Sequence, residues 1–129
     1  MIYAKYEKQI KILSRRGSNN SFCRDVLENF DSLEIENSLK IASSQKNKGK
    51  FTSINFSNKN TIEFRVFRGT MNTQTLISNI QLVQLLADWS RKNLTVYDIL
   101  NLTVTDFRNE ILENNYPELL NYCVEKEVI

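Results

Sequence analysis

One segment of this chain alternates in character, and the rest repeats at helical spacing. In TIEFRVFRGTMN, residues 61–72, the run 61–68 sets Ile62, Phe64 and Val66 on one side and Thr61, Glu63, Arg65 and Phe67 on the other, with the β-branched and aromatic content of a strand. FTSINF lies just before it across the polar SNKN, so the pair reads as a β-hairpin with a four-residue connection. A lone hairpin does not make a stable sheet. Its edges must be covered by helices, joined by another chain, or paired with strands the sequence does not contain. The expected class is therefore α+β, several helices packed on a small antiparallel hairpin in one domain spanning residues 1–129.

The helices announce themselves by period. Tyr6, Ile10 and Leu13 mark an amphipathic helix over residues 3–14, broken by RRGSNN. Ser21 or Asn20 caps a second over 21–30 with Phe22, Val26 and Phe30 on one face, and residues 31–42 continue as a third. SSQKNKGK reads as a loop. Asn72 or Thr73 caps a long helix over 73–93 that carries two apolar stripes, 76/80/83/87 and 82/85/86/89, so it is expected to be buried over most of its circumference, with Trp89 in the core. Two shorter helices follow: one begins at a Thr105 cap with Asp106 in the first turn, and the other has Pro117 in its first turn.

Composition narrows the chemistry. There is no histidine, which removes Ser-His-Asp and Cys-His catalysis, the usual general base and most zinc sites together. Cys23 and Cys123 form neither a disulfide framework nor a metal spacing, and with no uninterrupted apolar leader or span the expected setting is a reducing cytoplasm without a membrane. Residues 1–70 hold 13 Lys and Arg against 7 Asp and Glu, whereas residues 71–129 hold 4 against 8. A basic first half suits phosphate or nucleic-acid contacts, or forms solvated faces of one domain.

Glu63 and Arg65 are the first candidates for chemistry. Two positions apart on a strand, they share a face about 7 Å apart, where a carboxylate can hold a metal ion while a guanidinium grips a neighbouring anion; a wet hairpin face also carries such pairs with no function. Arg68 has the opposite parity. Gly69-Thr70 before a helix offers backbone N–H groups to an anion, although most such junctions are simple turns. Arg15 and Arg16, and the Lys46, Lys48, Lys50 cluster, are candidate phosphate or partner contacts, or else solvated loops.

INFSNKNTIEFRVFRGTMN, residues 54–72, resembles a hairpin signature of the amidoligase family, N-x-x-N-x-x-T-[IV]-E-F-R-x-F-x-G-T-[LM]-N. SRRGSNNSFC and NNYPELLNYCVEKEV resemble flanking segments of that family, more weakly. The family is similar to glutamine synthetase and glutamate–cysteine ligase, which join a carboxylate to an amine through an acyl phosphate at the expense of ATP. The resemblance implies Glu63 as a carboxylate holding magnesium, Arg65 as an arginine for substrate or phosphate, and Arg68 with Thr70 as supporting contacts to magnesium-ATP. It covers only the C-terminal part of such an enzyme. The acidic E-x-E strand is missing: Glu34 and Glu36 have its spacing inside a helical pattern.

Three functions follow as expectations. The first is a catalytically incomplete amidoligase-like domain that binds a macromolecule, a host protein or nucleoprotein complex. A start at Met1 and an Asn-, Lys- and Ile-rich composition associate it with phage or other mobile elements and with inhibitors of the anti-CRISPR kind. The second is an ATP-dependent carboxylate–amine ligase completed by homo-oligomerisation or a partner subunit. The third is a nucleic-acid-binding module using the basic loop, with Phe51 and Phe67 as stacking platforms.

Overall fold

A computed structural model describes residues 1–16, 53–55 and 58–129. The expected helices over 21–30 and 31–42, the loop that follows, Cys23, Glu34, Glu36, Phe51 and the three loop lysines lie outside the described residues. Six helices and one two-stranded antiparallel sheet are present among those described, an α+β fold.

The N-terminal segment forms α1 (Ile2–Lys5) and α2 (Glu7–Leu13), separated at Tyr6, where the backbone leaves helical geometry at φ −108°. The expected stripe survives this hitch: Tyr6, Ile10 and Leu13 are all buried. Helix α2 ends at Leu13, and Ser14 follows as its cap. Arg15 takes a left-handed φ of 59°, while the Arg16 N–H reaches the Lys11 carbonyl and the Arg15 N–H that of Ile12, a Schellman end without glycine.

Strands β1 (Ile54–Asn55) and β2 (Glu63–Phe64) pair in the register Ile54 to Phe64 and Asn55 to Glu63. The Arg65 N–H extends the ladder to the Ser53 carbonyl at 2.9 Å. The expected hairpin is there, but with a connection of residues 56–62 rather than four residues, because Thr61 and Ile62 are solvent-exposed and precede the paired stretch. Beyond Arg65 the strand is replaced by a strap. Val66 to Gly69 have their carbonyls taken by arginine side chains, and the Arg68 N–H reaches the Ser14 carbonyl at 3.2 Å.

Helix α3 (Thr73–Ser90) starts at Asn72, whose side chain accepts the Thr75 N–H at 2.9 Å. It buries Leu82, Leu85, Leu86 and Trp89, while Leu76 and Ile80 on the other stripe are 50% and 61% exposed. The expectation of near-complete burial is therefore corrected. The apolar stripe centred on Ile80 points away from α1, α5 and α6, the described helices against which α3 packs, leaving only one face inside the core. Helix α6 (Pro117–Glu125) is the main neighbour. Ser78 donates to the Glu118 carbonyl, and the Gln81 side chain accepts the Leu119 N–H at 2.8 Å, capping α6 from outside.

Helices α4 (Val96–Asn101) and α5 (Val104–Glu113) open with capping boxes, Thr95 with Asp98 and Thr103 with Asp106. The expected cap at Thr105 moves to Thr103, since only there does Asp106 fall at the third helical position and return a bond to the cap. Tyr6 joins the two halves of the described chain. Its ring lies 5.3 Å from that of Trp89 and 4.9 Å from that of Phe107, and its hydroxyl donates to the Thr103 carbonyl at 2.8 Å. Burial, with the Asp106 and Glu110 charges adding to it, pushes the Tyr6 phenol well above its ordinary pKa, so it stays a donor. Lys5 donates to the Leu100 carbonyl at the end of α4, and Lys92 pairs with the buried Glu110 of α5.

Candidate functional site

The hairpin and the end of α2 gather the polar groups. Alternation along β2 puts Glu63 and Arg65 on one face, and their side chains meet, Arg65 Nε lying 3.0 Å from Glu63 Oε1. Asn55, directly opposite Glu63 in the ladder, donates Nδ2 to Glu63 Oε2 at 3.0 Å. Both carboxylate oxygens are thus engaged. The Asn55 hydrogen bond first, then that of Arg65, hold the Glu63 carboxyl below the usual carboxylate range, so it is ionised at neutral pH.

Metal fit can be judged from this donor set. A magnesium ion held by protein carboxylates needs several hard oxygen ligands in octahedral array. No group of three or more His, Cys, Asp or Glu side chains that could hold a metal ion occurs among the described residues, and both oxygens of Glu63 are engaged by Arg65 and Asn55. The described residues alone therefore do not make up a magnesium-ATP centre.

At the start of β1, α2 contributes a second polar contact that the sequence pattern did not bring out. Glu7 is 6% exposed and accepts the Ser53 hydroxyl at 2.8 Å. The signal was present: Glu7 falls four residues after Tyr3 and three before Ile10, so a carboxylate occupies the apolar stripe of its own helix and needs a buried partner. Asn55 was missed because its role depends on the register of a hairpin whose connection is longer than the sequence suggests.

Arg15 and Arg16 come to the same end of the molecule. Arg15 Nη2 donates to the carbonyls of Arg68 and Gly69, both at 2.9 Å, and Arg16 donates Nε to Val66 and Nη2 to Phe67 at 3.3 and 3.4 Å. Arg68 belongs to the segment so held, and Arg65 precedes it. Two arginines thus hold residues 66–69 and two more lie in or beside that segment, Arg15 and Arg68 exposed and Arg16 and Arg65 half-buried. Thr70 Oγ1 accepts the Asn72 N–H at 3.1 Å, which spends on a turn one of the N–H groups expected to face an anion. A Cβ at Gly69 would meet nothing within 4 Å, so the glycine marks no close approach of backbone to a neighbour.

No family model, curated protein or solved structure matches the chain. The amidoligase resemblance therefore rests on residues 54–72, where the structure puts Glu63 and Arg65 side by side and the remaining ligands of such a centre are not among the described residues. Among those residues no helix is long and apolar enough to cross a membrane.

Proposed function

We propose that this chain is a catalytically incomplete, amidoligase-like domain that works by binding an acidic macromolecular partner, as an inhibitory protein of a phage or mobile element does. The observation that carries this reading is the hold of Arg15 and Arg16 on the carbonyls of residues 66–69, a segment that carries the exposed Arg68 and follows Arg65, which is paired with Glu63. Guanidinium groups fixed by backbone bonds keep N–H donors pre-aimed, which suits bidentate recognition of carboxylates. An acidic protein face fits better than nucleic acid. Phe64 and Phe67, the strand's aromatic residues, pack against the core instead of standing out as platforms for bases.

Calorimetry and fluorescence anisotropy on the full chain test this. The expected outcome is no saturable uptake of magnesium-ATP, together with salt-sensitive binding of a labelled polyglutamate peptide that Arg68→Glu weakens by about tenfold. Arg68 suits this test because its side chain is exposed, so reversing its charge leaves the core untouched. Saturable magnesium-ATP binding abolished by Glu63→Gln overturns the reading in favour of a ligase completed by oligomerisation. Tighter binding of a single-stranded oligonucleotide than of polyglutamate reassigns the arginine cluster to nucleic acid.

A further inference from the structure

The strap and the outer face of α3 flank an open groove of about 410 Å³, a volume in the range of ligand sites. Phe67 lines it from the strap, and Leu76, Ile80 and Val83, one stripe of the helix, line it from the other side. Two polar residues stand out in this apolar lining. Arg68 is exposed, and its guanidinium has no hydrogen-bond or ion-pair partner among the described residues, whereas Arg15 and Arg16 are bound to carbonyls and Arg65 to Glu63. Asn79 is 8% exposed, and its Oδ1 is buried without a donor among the described residues. The described residues that line the groove include no carboxylate.

We infer that this groove seats a short peptide segment of the partner, one that carries a carboxylate beside an aliphatic side chain. The inference rests on the acidic-partner reading above and narrows it from a charged face to a segment. Charge gives the first half. A groove with one unpaired guanidinium and no carboxylate complements an anion at Arg68 and an apolar group against Leu76, Ile80 and Val83. Asn79 decides between a peptide and a plain hydrocarbon chain. A buried amide oxygen without a donor is costly, and a methylene chain laid over it leaves it unpaired. A peptide N–H relieves it once the amide turns about its Cβ–Cγ bond, and the same amide can donate to the peptide carbonyl. Spacing gives the size. Leu76 to Val83 spans about 10 Å of helix, the reach of roughly three extended residues.

Fluorescence anisotropy on the full chain tests this with two labelled peptides of equal length and charge, one alternating Leu with Glu and the other Ser with Glu. The Leu–Glu peptide is expected to bind about tenfold tighter, the gain from partly burying one leucine. Ile80→Gln brings the two peptides to equal affinity, with an unchanged thermal melt because Ile80 is 61% exposed. Arg68→Gln weakens both. Equal affinities in the natural chain, or a leucine advantage that Ile80→Gln leaves intact, overturn this inference and leave the acidic-partner reading standing. Binding of neither peptide overturns both. Dodecanoate that displaces the Leu–Glu peptide and binds more tightly than it does assigns the groove to an aliphatic carboxylate, which overturns the peptide.

Discussion

Helices α4 and α5 close their own ends. Each begins with a threonine whose hydroxyl accepts an N–H three residues on, and each has an aspartate at that third position whose carboxylate returns the bond. Residues 66–69 do the opposite, taking their bonds from Ser14, Arg15 and Arg16, some fifty positions earlier in the chain. One region is held by neighbours in sequence and the other by a distant helix terminus. The strap therefore has no order of its own: it is in place only while α2 ends where it does, with Arg15 in the left-handed region. The same arginines that hold it form the proposed binding surface, so that surface exists only in the folded chain.

The largest effect is expected where the two regions meet. Phe107 is fully buried against Tyr6, and Phe107→Ala leaves a void beside a ring that α1 and α2 share with α3 and α5. A loss of about 3–5 kcal/mol is expected in urea titration. Far-ultraviolet circular dichroism and tryptophan fluorescence should still follow one transition, because Trp89 and Tyr6 are stacked together. Two separated transitions would break the idea that this stack welds the regions.

Removing the remote bonds sharpens the contrast. Arg15→Ala with Arg16→Ala deletes four donations to the strap while leaving α3 to α6 untouched, and an overall cost of about 1–2 kcal/mol is expected for bonds that are largely exposed. Amide hydrogen exchange reads the distribution of that cost. The Arg68 N–H should lose protection far more than the N–H groups inside α3. Equal loss in both places would mean that the strap is not a separate unit.

What could be read from the sequence follows the same division. The Asn72 cap, Pro117 in its first turn, the buried stripe of Tyr6, Ile10 and Leu13 and the shared face of Glu63 and Arg65 are local patterns, and each is found as expected. Helix α4 was missed although its capping box is as local as that of α5, because six residues are too few to show a period. The ends of α2 and of the final helix fall within a residue of the expected ones although Arg15 and Glu127 hold left-handed positions where glycine or asparagine is the usual signal, whereas Asn115 at the end of α5 gives that signal plainly. The carbonyl bonds of Arg15 and Arg16 have no trace in local pattern at all. Two arginines after a helix read as a charged loop unless one knows which strand passes beside them.

The mildest test concerns the local side. Thr103→Ala removes the hydroxyl that accepts the Asp106 N–H, at a cost of about 1 kcal/mol at neutral pH. Its pH dependence is more telling than its size. The Thr103 hydroxyl first, then the Thr103 N–H, hold the Asp106 carboxyl below the usual aspartate range, and Thr95 does the same for Asp98. A carboxyl whose folded pKa is depressed binds its proton more readily in the unfolded chain. Its contribution is therefore present above the ordinary aspartate pKa and is lost as the pH falls through the depressed folded value. Melting temperatures taken from pH 6 down to pH 2 should fall in the natural chain. Thr103→Ala should be destabilised most at the top of that range and less at the bottom, where Asp106 is protonated and only the lost acceptor of the Asp106 N–H still counts. A constant offset at every pH would mean that Thr103 counts only as acceptor of the Asp106 N–H and that the bond returned by the Asp106 carboxylate adds nothing, so that the capping box would be half of what its geometry suggests.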